Sequence, residues 1–453
     1  MDNVLIIQRV REQLALLLAG QKTAQLEALW EAFLEVHPVD IADFVADLDT
    51  EHAQKLFNAL PKKIQYEVFE ECSETKKVML LPVLSEPELV DLFEKLSADE
   101  LTDLFDYVSD EELKYYLRLL HKKVSKKVLS LLQFDPESAG GIMHTDVITL
   151  MQDFTVERSI SLLQRLRPSK DVHQSIYVVD KAGLLVGYIN LEDLVLHKPT
   201  DRINSFMHEN EFVAFADEDQ EKVGKTMVHY GLMVIPVIDK ENHFLGVISG
   251  ETLVDVIMEE ASEDVQKMAA LAPMKYPYFE TSFVRLVWER SYILIVLLLA
   301  ESFSSNILHA YKTTLSEFLL VFIPMLISTG GNTSSQTSAM VIQGMASGDI
   351  TLENVWIFLR RELAMSTVLG GILGLTSFVR VWLTGGTLLE SFAISMVLSV
   401  IVMLAAVLGS GIPLILKRLN LDPAFSAGPF LATIMDILGV LIFCLLTKAV
   451  LFS

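Results

Sequence analysis

Residues 318–348 form a run of 31 without a charged side chain, and residues 391–416 a run of 26. About 20 predominantly apolar residues in a helix cross the hydrocarbon core of a bilayer, so both runs are long enough to span it. In lipid no water satisfies backbone amides, and a helix satisfies them within itself. The C-terminal part of the chain is therefore expected to be a bundle of membrane-crossing helices. Three weaker segments join these two: 284–310, interrupted by Glu301; 363–379; and 423–452, interrupted by Asp436. Five spans account for the pattern, in a pore-type domain over 284–453.

Charge is distributed as unevenly as hydropathy. The 453 residues include 36 Lys+Arg and 59 Asp+Glu; 9 and 10 of these lie from Tyr276 onward, leaving 27 and 49 before it. The first 275 residues thus carry −22 of the formal −23. Such an excess of carboxylates repels nucleic acid and anionic lipid headgroups and attracts cations, which excludes nucleic acid as a partner. A merely solubilising surface is the competing explanation. The two cysteines, Cys72 and Cys444, lie one in each half, so neither a disulfide framework nor a thiolate metal site is indicated. The N-terminus mixes Asp2, Arg9, Arg11 and Glu12 into a short apolar pattern without a cleavage-like site, so this half is expected in the cytoplasm. Arg285, Arg290, Arg360, Arg361, Lys417 and Arg418 then fall inside, against Lys312, Arg380 and Lys448 outside. That bias fits the positive-inside rule. The expectation is a multi-pass protein of the cell (inner) membrane with a cytoplasmic N-terminus.

Residues 1–133 carry a 12-residue repeat opened by Val36, Leu48, Leu60, Cys72, Leu84, Leu96, Val108 and Leu120. Apolar pairs recur within the units, as in Phe44-Val45, Leu56-Phe57, Val68-Phe69, Leu92-Phe93 and Leu104-Phe105. Ser85-x-x-Glu88, Ser97-x-x-Glu100 and Ser109-x-x-Glu112 have the spacing of capping boxes, in which Ser and Glu satisfy two orphan backbone donors reciprocally. Each unit reads as a helix of about two turns, too short to stand alone. Stacking buries the pairs and predicts an acidic α-helical solenoid.

Residues 134–258 contain a longer duplication: 180–189 matches 239–248 at an offset of 59, each copy preceded by a β-rich run and followed by a strand and a helix. This block resembles tandem cystathionine-β-synthase (CBS) domains, α/β regulatory modules that pack as a pseudo-symmetric pair. Such modules often bind adenine nucleotides, so the resemblance implies ATP as a ligand and Asp193 as the acidic residue toward the ribose. The second copy has Thr252 at the matching position.

Asp436 is the sharpest signal in the membrane block. It stands in Leu431-Ala432-Thr433-Ile434-Met435-Asp436-Ile437-Leu438-Gly439, with no Lys, Arg or His within ten residues. A carboxylate at the bilayer centre costs roughly 3 kcal/mol on insertion scales and normally faces a watery cavity or a cation; a hydrogen bond to another span is the structural alternative. Before it, Asp422-Pro423-Ala424-Phe425-Ser426-Ala427-Gly428-Pro429 is rich in helix breakers. Proline frees the carbonyl one turn back, and carbonyls at membrane depth are tolerated where they line a cavity. The candidate ion ligands are Asp436 and Asp422, with Ala432 and Gly428 offering only carbonyls; Asn332, Thr333, Gln336, Thr433 and Pro429 are candidate pore-lining residues. The cluster around Gly330-Gly331 suits either a polar pore wall or a kinked span with small residues for close packing. Mg²⁺ loses water reluctantly and suits few carboxylates with retained waters.

The order of solenoid, tandem repeat and these two membrane stretches resembles the MgtE family of magnesium channels over essentially the whole chain. The resemblance implies a homodimer in the lipid bilayer, with a pore at the dimer axis in which Asp436 coordinates hydrated Mg²⁺. Asp422 then lies at the cytoplasmic mouth. Ser334 stands where the family's second-span pattern has a glycine, and Gly231 and Thr252 where it is often acidic. Segment 259–283 resembles a connecting plug helix that Mg²⁺ bridges to the repeat pair and the solenoid. Glu259 and Glu263 share a helical face, as do Glu260 and Asp264, and with Asp255 they are the first regulatory candidates; like charges at i,i+4 repel, which a divalent cation reverses and a solvated face merely tolerates. Asp219, Glu221, Asp99 and Asp103 complete the set. The function expected is a Mg²⁺-selective channel for passive uptake, gated by cytoplasmic Mg²⁺. A broader divalent channel (Co²⁺, Mn²⁺) and a non-conducting membrane-anchored sensor are its alternatives. No P-loop or His-Glu-x-x-His motif points to an enzyme.

Overall fold

The computed structural model describes residues 3–18, 23–166, 175–274, 278–279, 281–312, 315–351, 353–419, 421–426 and 428–451. They form two compact units, Met1–Met258 and Glu259–Ser453.

The first unit opens with ten short helices among the described residues, from Asn3–Leu18 to Lys122–Leu131. The reason is local. Ser85, Ser97 and Ser109 each start a helix with a capping box closed by Glu88, Glu100 and Glu112. Leu60, Cys72, Leu84 and Leu120 of the 12-residue register sit at helix C-caps, where each unit hands over to the next. Phe57 packs on Phe69 at 6.1 Å and Phe93 on Phe105 at 5.7 Å, rings one repeat apart in both cases. Fully burying one such side chain contributes about 1.5–3 kcal/mol, which is how stacked units hold helices that would melt singly.

Two three-stranded sheets follow with identical topology. In the first, β1 (Thr149–Met151) runs parallel to β2 (Ser175–Val179), which pairs antiparallel with β3 (Leu185–Asn190). In the second, β4 (Ala214–Phe215), β5 (Val234–Ile238) and β6 (Phe244–Ser249) repeat the order. Even the register irregularity recurs, at Val178/Val179 and at Val237/Ile238. The turn into the last strand needs a left-handed residue, supplied by Gly183 (φ +88°) in one copy and Asn242 (φ +67°) in the other. The chain ahead of each repeat crosses to the opposite sheet: His144 bridges to Val247, and His208 to Tyr188. Gly246 and Gly187 make room, since a Cβ at either would collide with the carbonyl of His144 or His208.

The connecting plug helix expected over 259–283 has other bounds. One helix starts inside the second repeat and runs over Gly250–Met268. It stops there because Leu271 N–H bonds back to the Gln266 carbonyl and Ala270 turns left-handed (φ +55°), closing the end as a Schellman-type cap.

Among the described residues, the second unit holds five helices long and apolar enough to cross a membrane: Phe283–Tyr311, Glu317–Ala346, Val355–Leu383, Leu388–Arg418 and Pro423–Leu451. The count matches the sequence pattern. The third is longer than the expected 363–379, because residues 355–362 continue the helix through Arg360-Arg361-Glu362. The fourth begins at a Thr387/Glu390 capping box and carries Pro413 inside it. Its Gly409 lies against Ser334 of the second span, a Cβ there falling 2.6 Å from the Ser334 carbonyl oxygen.

Candidate ion path and cation-sensing residues

The second span is helical over Ile323–Ala346, with Pro324 in its first turn, where a missing N–H costs nothing. Gly330 and Gly331 are buried; Gly330 abuts Ile401 and Met435, and Gly331 abuts Ala432 of the last span. The glycine pair therefore serves close packing, and it sets the register of spans two and five. The opposite side of the same helix is polar: Ser328, Asn332 and Gln336, at i, i+4, i+8, are exposed on the protomer. Thr333 donates its hydroxyl to the Thr329 carbonyl (2.8 Å).

In the last span the two prolines begin helical segments rather than interrupt one. Pro423 opens a short 3₁₀ turn, Pro423–Ser426, and Pro429 opens the helix Pro429–Leu451. The carbonyls at the start of this helix are engaged within it: Gly428 accepts from Ala432 N–H (3.0 Å), and Pro429 from the Thr433 hydroxyl (3.0 Å). Proline does remove a ladder bond at Pro413, whose i−4 carbonyl is Gly409. One turn beyond Ala432, Asp436 is half-buried. Among the described residues its carboxylate has no hydrogen bond or ion pair, but Glu301 of the first span lies within electrostatic reach.

Asp422 lies at the start of this segment. Its Oδ1 caps the 3₁₀ turn by accepting from Ala424 N–H (2.8 Å), and its Oδ2 accepts from Lys267 Nζ (2.6 Å). The same ammonium pairs with Glu263 at 2.7 Å and faces the Phe425 ring at 5.6 Å. Only 13% of the Lys267 side chain is exposed. Burial works against its charge, but Asp422 and Glu263 outweigh it and hold the ammonium well above the usual lysine range.

The remaining regulatory candidates fall into distinct settings. Asp99 is buried in the solenoid helix Ala98–Phe105; its Oδ1 accepts from Thr145 Oγ1 (2.9 Å) and its Oδ2 meets His144 Nδ1 at 3.0 Å. The other nitrogen of His144 reaches Thr252 Oγ1 at 2.8 Å. Burial opposes the charge on Asp99, yet His144 and Thr145 bring its carboxyl below the ordinary value. Asp103 keeps an exposed surface of its own, while dense surroundings first, then Glu74 and Asp99, push its carboxyl up to about 7. Asp219 is a helix cap accepting from Glu221 N–H (2.9 Å), and Glu221 pairs with Lys225. Asp255 and Glu259 are exposed on the Gly250–Met268 helix, and Glu260 and Asp264 are half-buried. Asp193 caps its own helix at Asn190 N–H (2.8 Å) and is met by His208 Nε2 at 3.1 Å, the counterpart of the His144–Thr252 contact in the other copy.

Three features escaped the sequence reading. The first is the His144 bridge. The second is Asp239, Glu241 and His243, whose ligand-type atoms lie within 4.8 Å of one another; Asp239 there already accepts from Glu241 and His243 N–H, so the group first of all builds a turn. The third is Glu362, 7% exposed, whose Oε1 accepts from Thr337 Oγ1 of the second span at 3.3 Å. Its signal was present: Glu362, Ser366, Gly370, Gly374 and Ser377 form one buried helical stripe.

Five spans with carboxylates inside them, joined to a solenoid and a CBS pair, define a polytopic membrane transport protein with regulatory modules. Family comparisons agree. The family described as "Divalent cation transporter" matches residues 323–446, the MgtE intracellular N domain matches 36–137, and the CBS domain matches 139–198 and 203–259. The magnesium transporter MgtE of Thermus thermophilus is 32% identical over 92% of this chain and 93% of its own length. That of Enterococcus faecalis is 32% identical over 96% of each. Solved structures similar to the chain include the cytosolic domain of the Mg²⁺ channel MgtE in complex with ATP (30% identity, TM-score 0.46, covering 51% of this chain and 94% of that one). The soluble part of a magnesium transporter is another (29%, TM-score 0.47, covering 56% and 99%). The chain belongs to the MgtE family of magnesium transporters. Its relatives are named for transport, a non-enzymatic role.

Proposed function

We propose that this chain is a Mg²⁺-selective channel for passive uptake, a homodimer in the cell (inner) membrane with the acidic half in the cytoplasm. The observation that carries the reading is Asp436, half-buried in an apolar span, its carboxylate with no hydrogen bond or ion pair among the described residues. A bare carboxylate in lipid is costly, and a second copy facing it across a water-filled axis relieves that cost. The exposed polar face of Ser328, Asn332 and Gln336 supports the same reading, since hydroxyls and amides suit a hydrated cation and not lipid. Asp422, Gly428, Pro429, Ala432 and Thr433 then line the inner part of the path. A divalent ion gains roughly 2.3 kcal/mol per charge per 100 mV of membrane potential, so entry needs no other energy source.

Gating follows from charge. Cytoplasmic Mg²⁺ bound among Asp99, Asp103, Asp219, Glu221 and the acids of 255–264 draws together carboxylate-rich elements that otherwise repel, and so favours a closed arrangement. ATP at Asp193 belongs to this reading as a modulator.

The test is Mg²⁺ flux into liposomes containing purified protein, parent beside Asp436→Asn and Asp436→Ala. Flux in the parent that disappears in both variants, each still eluting as the parent does, supports the path. Equal flux in all three moves it elsewhere, and no flux in any at low internal Mg²⁺ favours a sensor.

A further inference from the structure

Asp422 has no idle oxygen: one caps the turn that precedes the last span and the other holds an ammonium. We propose that Lys267 is a tethered counter-ion of the pore mouth, occupying the Asp422–Glu263 carboxylate pair and keeping divalent cations off Asp422 until the end of the acidic helix withdraws. The inference rests on the reading of Asp422 as lying on the ion path.

Three contacts join this helix end to the start of the last span, at Asp422, Phe425 and Gly428. Lys267 Nζ reaches Asp422 at 2.6 Å and Glu263 at 2.7 Å, within charge-assisted hydrogen-bond range. The ammonium also lies over the Phe425 ring, a further cation-binding face. The Met268 carbonyl packs so closely on Gly428 that any Cβ there would overlap it. Gln266 then caps the turn-off: its carbonyl accepts from Leu271 N–H and its Oε1 from Met274 N–H (both 2.9 Å), so the lysine side chain is presented from a defined helix terminus.

The chemistry differs from that of a bound ion. An ammonium is a compact point charge with three donors, delivered by a flexible stem at an effectively fixed local concentration. It neutralises one of two carboxylates and needs no Mg²⁺ to do so. Closure therefore has a component that persists when cytoplasmic Mg²⁺ is low. A divalent ion gains access to Asp422 only by displacing a partner that is covalently part of the same chain.

The experiment is Mg²⁺ flux through the full chain in liposomes while Mg²⁺ is varied on the side of the acidic half, for the parent, Lys267→Gln, Lys267→Arg and Glu263→Gln. Expected for Lys267→Gln is about fivefold higher flux at the lowest Mg²⁺, with half-inhibition moved to a similarly higher concentration. Lys267→Arg, which keeps the charge, restores most of the parent curve, and Glu263→Gln, which leaves Asp422 paired, falls between. A Lys267→Gln curve that superimposes on an active, Mg²⁺-inhibited parent overturns the inference and leaves the channel reading standing. Should Lys267→Gln fail to elute as the parent does, Glu263→Gln decides alone: no shift overturns the inference. A parent without flux removes both.

Discussion

Gly428 offers a perturbation of the helix end that leaves every charge in place. Its φ of +59° and its contact with the Met268 carbonyl both require a residue without a side chain. In Gly428→Ala the left-handed backbone costs roughly 1–2 kcal/mol, but that strain is present whether or not the acidic helix is seated, so it largely cancels in the gating equilibrium. The overlap does not cancel. The Met268 carbonyl must retreat by more than about 1 Å to regain ordinary van der Waals contact. Lys267 moves with it, and its 2.6 Å bond to Asp422 stretches beyond hydrogen-bonding reach. Losing one hydrogen bond to a charged group costs about 1.5–3 kcal/mol, part of which the flexible lysine stem recovers by following, so the seated state should lose about the fivefold expected for Lys267→Gln. The assay is the Mg²⁺-inhibition curve of flux in liposomes, where half-inhibition should move to higher Mg²⁺ while flux at low Mg²⁺ persists. An alanine variant with parent flux and parent half-inhibition would falsify the argument that this contact seats the helix.

His144→Ala should loosen the last solenoid helices from the second repeat, since one imidazole joins Asp99 to Thr252; faster amide exchange over Ala98–Phe105 at pH 6 is the readout, and unchanged exchange counts against it. The hydrogen bond to Asp99 holds His144 above its ordinary value despite burial, so the contribution is full below about pH 6.5 and fades as pH rises through the raised value. Asp99, held low, loses its part only as pH falls through its lowered value. The parent should therefore show weaker protection at pH 8.5 than at pH 6, and the variant little difference. Burial pushes the Cys72 thiol up to about 11, so thiol reagents at pH 8 should leave it unmodified in the folded protein and label it on unfolding, as mass spectrometry of solenoid peptides would show.

Much of this protein is written locally. Capping boxes at Ser85, Ser97 and Ser109 form because Ser and Glu three residues apart satisfy backbone donors whatever else the chain does. The five long helices follow from hydropathy alone, because lipid leaves the backbone no other partner. The duplicated sheets follow from an offset of 59 that repeats strand, left-handed turn and bulge together. Asp436 stands out in the sequence as a carboxylate with no Lys, Arg or His within ten residues to neutralise it.

What no local pattern contains is which distant side chain meets which. Glu263 and Lys267 are visible as an i,i+4 pair, but Asp422 lies 155 residues from that lysine and meets it only through packing of the helix end on Gly428. His144 reaches Asp99 and Thr252 because the strand ahead of each repeat crosses to the other sheet, an exchange set by topology. Glu362 lies just outside the run 363–379, and only the helix from Val355 places its carboxylate on a buried stripe facing Thr337. Periodicity and solvation assign each residue to an element and a face. Only the packing of those faces decides which charges become partners, because Coulomb and hydrogen-bond energies depend on separations in space and not along the chain.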